Sequence, residues 1–146
     1  KKFDTGAVVD QEKVDFGENE YVGDIQPRIS DAALRVFTRS LESLLDGNPK
    51  TVPQDLSKAS YFGKRTPEDG RIDFSKTARE VFNLIRGVSK PFPGAFTEID
   101  GQKTVIWRAK IGEPANGIPA GTVASRNPLK IACADNFIEA EETETA

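Results

Sequence analysis

Residues 61–96 read YFGKRTPEDGRIDFSKTAREVFNLIRGVSKPFPGAF, and the chain changes its pattern twice within them. Up to Phe74 there is neither a helical nor a strand period. That aperiodic run reaches back to Asn48 and holds three prolines, Pro49, Pro53 and Pro67. It reads as an extended linker, too long for a tight connection between elements. Tyr61 and Phe62 predict that it lies against a surface. From Ser75 the pattern turns helical, with Ala78, Val81, Phe82, Ile85 and Val88 on one side at steps of three and four. Ser75 is the expected cap, Gly87 a weak point and Pro91 the stop. After PFPGAF the sequence alternates as strands do.

Downstream, residues 96–99 and 103–109 flank Asp100-Gly101-Gln102, a hairpin signal with Gly at the turn. Further short strands are expected at 121–125, 129–133 and 137–140, separated by Asn127-Pro128 and Asp135-Asn136. Strands spaced this way predict a small barrel or sandwich. Ile106 and Phe96 belong to its core; Trp107 reads as a strand anchor, with base stacking as the alternative. The last six residues, EETETA, are acidic and expected to fray.

Upstream, residues 28–46 predict a helix with Leu34, Phe37, Leu41, Leu44 and Leu45 facing a core. Ser30 or Asp31 is its expected cap, and Gly47 with Pro49 its stop. A start nearer Asn19 is opposed by Gly23 and Pro27. The first residues, KKFDTGAVVDQ, place an Asp4-Thr5-Gly6 turn before one or two short strands around Val8, Val9, Val14 and Phe16.

Composition narrows the chemistry. The 146 residues are 37% hydrophobic and 29% charged, as in a globular protein, and the formal net charge of −3 offers no whole-surface attraction for nucleic acid. There is no histidine, so no imidazole of this chain performs acid–base work. Cys133, the single cysteine, has no partner for a metal site, reads as a buried small hydrophobe, and fits a reducing, cytoplasmic setting. No zinc spacing, phosphate-binding glycine loop or nucleophile elbow occurs. No apolar run approaches the roughly 20 residues that span a bilayer, so membrane insertion is not expected.

At GKRTPEDGRIDF, NLIRG and FPGA the chain resembles the folate-dependent formyltransferases. Their junction carries a G-R-R-x-P-E-D-G-x-I-D-W-like run, then an N-x-[IV]-R-A-like helix and a W-P-G-A-like turn. Phe74 and Phe92 stand here where that family usually has Trp. KKFDTGAVV is similar to the K-R-x-D-x-G-x-[IV] segment that closes the family's catalytic domain. The resemblance implies an α/β architecture: residues 1–50 as the tail of a Rossmann-like formyltransferase domain, 51–74 as linker, and 75–146 as a small OB-like β-barrel domain with one helix. The amino-terminal catalytic half, with its Asn–x–His pair, would lie outside this sequence.

For the site, the resemblance implies that Asp4 stands beside the catalytic His and raises its pKa. It places Lys1, Lys2, Phe3 and Asp4 along the donor, 10-formyltetrahydrofolate. It implies formyl transfer to an amino-sugar nucleotide, nearest the type that formylates UDP-4-amino-4-deoxy-L-arabinose. A methionyl-tRNA formyltransferase, whose barrel helps hold tRNA, and a non-catalytic β-barrel binding module remain alternatives. Lys64, Arg65 and Arg71, with Tyr61 and Phe62, would either approach a phosphate-bearing acceptor or form a solvated loop balanced by Glu68, Asp69 and Asp73. On the strands, Lys103, Arg108, Lys110, Arg126 and Lys130 are opposed by Glu98, Asp100, Glu113, Asp135 and the acidic tail. Alternation is expected to keep them from forming one positive groove.

Overall fold

The computed structural model describes residues 4–145. The chain divides into two compact units, one formed by residues up to Glu18 with Asp24–Lys64, the other by Asn19–Gly23 with the chain from Arg65 onward.

In the first unit the dominant element is α1, Val22–Leu45, whose first two residues belong to the second unit. It starts earlier than the sequence predicts, and Ser30 and Asp31 lie inside it rather than capping it. Pro27 lies in its second turn, where it removes the one backbone bond its N–H would make to Gly23 and the helix continues through it. The leucine-rich face is not core in the described chain. Leu34, Phe37 and Leu45 are 64%, 58% and 78% exposed, while Ile25, Ala32 and Ser40 are buried. The expected strands near the amino terminus are reduced to one antiparallel bridge, Val8 to Val52. The segment is held by side chains instead, because Asp10 and Glu12 reach Arg39 and Arg35 on α1.

The second unit contains α2, Ala78–Val88, and five strands: β1 (Ala95–Ile99), β2 (Gln102–Pro114), β3 (Val123–Arg126), β4 (Leu129–Ala132) and β5 (Asn136–Thr145). All five predicted strands are present. The helix is capped by Thr77, not Ser75: the Thr77 hydroxyl meets Glu80 N–H while the Glu80 carboxylate accepts from Thr77 N–H, so the two close a capping box. Ser75 is drawn one turn earlier, where its N–H and hydroxyl both donate to Asp73. Ala78, Val81, Phe82 and Ile85 are buried, as their spacing predicts. They pack with Ile106, Ala109, Ile138 and Tyr21 into one core.

The sheet is antiparallel throughout, in the order β1-β2-β5-β4-β3. A two-residue turn joins β1 to β2, with Asp100 and Gly101 at φ 53° and 78°, the left-handed pair that suits such hairpins. The barrel does not close by strand pairing. The outer edge of β1 is taken by the incoming chain, through a parallel bridge from Arg71 to Phe96, with Ile72 N–H donating to Phe96 O. The sheet is nonetheless curled into a half-barrel. Arg126, at the end of β3, pairs with Asp100 in the β1–β2 turn at 2.7 Å. In a flat sheet those positions would lie roughly 14–19 Å apart at ~4.8 Å per strand.

The acidic end does not fray before Thr145. Thr143, Glu144 and Thr145 pair with Ile106, Val105 and Thr104 of β2, and Glu142 accepts from Lys90 at 2.6 Å. The ladder and this ion pair outweigh the charge repulsion that predicted fraying. Among the described residues no helix is long and apolar enough to cross a membrane.

Candidate functional site

Asp4 occupies a left-handed turn at φ 58° and is exposed. The turn is tied down from behind: the Gln54 side-chain amide donates to the carbonyl oxygens of both Asp4 (3.1 Å) and Gly6 (2.6 Å). Lys1, Lys2 and Phe3, the other residues implied to border the donor, lie outside the described residues.

The sequence reading missed what anchors the chain just beyond this turn. Arg39 grips Asp10 through two bonds, Nε to Oδ2 at 2.6 Å and Nη2 to Oδ1 at 3.0 Å, and extends Nη1 to Glu12 Oε2 at 2.6 Å. Arg35 takes the other Glu12 oxygen, and Ser40 Oγ donates to Asp10 at 3.1 Å. The bond from Arg39 is the main reason the Asp10 carboxyl is pulled down to about 2. The same contact raises the Arg39 guanidinium, which stays charged throughout. The legible signal was the pairing of D-x-E at 10–12 with R-x-x-x-R at 35–39, one helical turn apart. Two carboxylates on an extended segment meet two guanidiniums on one helix face.

Within the interval between α1 and α2, Tyr61 and Phe62 do not lie against a surface among the described residues, being 82% and 93% exposed. Arg71 is engaged, with Nε on Glu68 and Nη1 on Glu98 (3.2 Å) and its guanidinium 4.9 Å over the Phe96 ring. The expected balance by Glu68 is therefore real. Asp69 and Asp73 instead accept from Thr66 and Ser75 and shape turns.

On the sheet, pairing neutralises most of the basic side chains. Lys110 on β2 and Lys130 on β4 flank Glu139 on the strand between them, directly opposite in register. Lys130 also meets Glu113 at 2.8 Å, and Arg126 meets Asp100. Lys103 and Arg108 lie over the Phe96 and Tyr21 rings. The expectation that these residues do not join into one positive groove agrees with this pattern. Trp107 is a strand anchor: its Nε1 donates to Glu144 at 3.0 Å, and its ring lies against Gly94. Cys133 is 1% exposed, and burial pushes its thiol up to about 11, so it is inert at neutral pH.

The formyl transferase C-terminal domain family matches residues 64–146, more than half of the chain. Several solved structures share the fold, among them the following three. HypX from Aquifex aeolicus, solved with tetrahydrofolic acid, aligns over 99% of this chain at 17% identity and TM-score 0.67. Methionyl-tRNA formyltransferase from Clostridium thermocellum aligns over 99% at 22% and 0.59. The N-formyltransferase from Helicobacter canadensis, solved with folinic acid and dTDP-3-aminofucose, aligns over 94% at 18% and 0.67. The chain spans 26% of the first protein, 52% of the second and 51% of the third. With the five-stranded half-barrel, its capped helix and the family match over the same residues, this chain belongs to the formyltransferase family and carries its carboxy-terminal domain.

Proposed function

We propose that the protein to which this chain belongs transfers a formyl group from 10-formyltetrahydrofolate to the amine of an amino-sugar nucleotide. Family membership supports the reaction class. The folate ligands in the A. aeolicus and H. canadensis structures support a folate donor, and dTDP-3-aminofucose in the latter supports a sugar-nucleotide acceptor. The observation that carries the choice of acceptor is the pairwise neutralisation of Lys110, Arg126 and Lys130. A tRNA-holding sheet needs a run of unpaired cations to contact successive phosphates, whereas only Lys103 and Arg108 of the five strand cations are without an ion pair among the described residues, each over its own ring. The lone free thiol of Cys133 supports a cytoplasmic setting.

In this reaction the amine attacks the formyl carbon, a tetrahedral oxyanion forms, and the amine proton must leave through a base. This chain has no histidine to serve as that base. Its share is Asp4, held in a rigid turn by Gln54, whose carboxylate would favour the charged form of an imidazole supplied upstream. Lys1, Lys2 and Phe3 would border the donor.

The test is to incubate the complete protein with 10-formyltetrahydrofolate and either an amino-sugar nucleotide or methionyl-tRNA. Formamide product with the sugar nucleotide alone is expected. Formylation of methionyl-tRNA would transfer the assignment to that second acceptor, and no product with either would favour a binding module. In the complete protein, Asp4→Asn should lower kcat roughly 100-fold or more with a small change in KM. Normal turnover across the pH range would leave Asp4 as a turn residue only.

A further inference from the structure

A cleft of about 410 Å³ lies within the second unit, away from the Asp4 turn in sequence and lined by Asn19, Tyr21, Arg79, Phe82, Arg108 and Glu141 among others. The Tyr21 and Phe82 rings pack edge to face, with centroids 6.0 Å apart. Each ring carries a guanidinium on its face: Arg108 lies 4.3 Å from the Tyr21 centroid and Arg79 lies 5.3 Å from the Phe82 centroid. Tyr21 is fixed beneath by two bonds to the Ala109 backbone, at 3.1 Å and 3.0 Å. Asn19 accepts from Arg79 Nη1 at 3.2 Å. Neither guanidinium forms an ion pair with a described carboxylate, whereas Lys110, at the same cleft, is committed to Glu139.

Two like charges held over neighbouring rings repel each other, and rings supply only part of what a counter-ion would. A ring accepts no conventional hydrogen bond in plane, so apart from the Arg79 Nη1 bond to Asn19 these guanidiniums keep N–H donors for a further acceptor, and a guanidinium with free donors grips an oxyanion strongly. The cleft volume falls within the range of small-ligand sites. Glu141, also lining the cleft, sets a negative charge against any anion there and leaves the two guanidiniums to outweigh it, which favours a compact doubly charged group over a long polyanion. We propose that Arg79 and Arg108 form a clasp for the phosphoryl group of a small phosphorylated ligand. The inference is independent of the formyl-transfer reading, since it uses no residue of that site.

The test follows the Arg79 and Arg108 side-chain Nε–Hε signals and the cleft-lining Ala109–Ile111 backbone amides of this chain by NMR, with ionic strength fixed within each titration and the RNA titration repeated at a second salt concentration. Inorganic phosphate, uridine diphosphate and a short single-stranded RNA are titrated separately. Phosphate and uridine diphosphate should each shift both signals saturably, with half-saturation at or below about 1 mM. Tighter binding of the nucleotide would locate the recognised source in an ester; equal binding would locate it in the phosphoryl group alone. Arg108→Lys, which keeps charge and stem, should weaken binding roughly tenfold by loss of the fork. Arg79→Ala combined with Arg108→Ala should abolish it while the β2–β5 amide signals stay in place. Absence of saturation by ~10 mM, equal shifts of the Ala109–Ile111 amides in the double variant, or preferential and steeply salt-dependent RNA binding would each overturn the proposal.

Discussion

Single residues decide two of the tightest points in the chain. Gly94 sits at φ 85°, and a Cβ there would lie 2.5 Å from Val105 Cγ1 and 2.7 Å from the Trp107 ring. Gly70, in turn, approaches Gly94 so closely that a Cβ would stand 2.5 Å from its carbonyl oxygen. The glycines of PEDG and PFPG thus let two backbones touch, which a family motif marks and periodicity does not. Gly94→Ala should destabilise the chain by roughly 2–4 kcal/mol, through strain at positive φ and overpacking. A urea midpoint that falls with an unchanged slope would be the signature; an unmoved midpoint would contradict the close approach. Asp10 is the second decisive residue. Its carboxyl, held at about 2 by Arg39, lies below the ordinary value near 4, so its stabilising contribution is present above that ordinary value and disappears as pH falls towards 2. Arg39→Gln should return the Asp10 titration towards ~4, followed by carboxyl carbon NMR. A curve still centred near 2 would mean another group holds the charge.

At the scale of elements, legibility followed how local the cause was. The face of α2 and all five strands were legible because periodicity and turn residues act over a few positions. The cap of α2 differs from the expected one by two residues although the signal is local: three residues after Ser75 stands Ala78, while three after Thr77 stands Glu80, the T-x-x-E spacing of a capping box. Thr77 wins through Glu80, whose carboxyl is lowered chiefly by the Thr77 hydroxyl. Asp135 reinforces the same helix end by accepting from Ala78 N–H at 2.7 Å. Thr77→Ala should cost about 1 kcal/mol and Ser75→Ala clearly less, because the latter loosens only the turn before the helix. Equal losses in paired thermal melts would restore Ser75 as the cap. The face of α1 was misjudged for a different reason: a helical stripe announces that it can be buried, not that the burying partner lies among the described residues. The end of β5 was misjudged because net acidity is visible in sequence, while its ladder with β2 is a long-range fact. The arginines that anchor Asp10 and Glu12 were equally non-local.

The second unit, taken whole, is discontinuous in sequence. Asn19–Gly23 belongs with the sheet although the residues on either side of it do not. From this short visit Tyr21 enters the core, 6% exposed, and satisfies both the N–H and the C=O of Ala109 on β2. Tyr21→Ala should therefore destabilise the unit by roughly 3 kcal/mol or more, combining a cavity with two unpaired buried backbone groups. Hydrogen exchange at the Ala109 amide should accelerate with it; protection left intact would show that water or a neighbour replaces the phenol. No sequence signal marked Tyr21, because one aromatic ahead of a helix has no period to betray its destination. The family match begins at residue 64, far beyond this tyrosine. A gene piece cut at that boundary would encode the sheet and its helix but leave behind the side chain that plugs them, so the domain is not a free-standing unit of exchange. Inheritance by shuffling would have to carry residues 19–23 along, or find a host whose own chain supplies a phenol at the same spot.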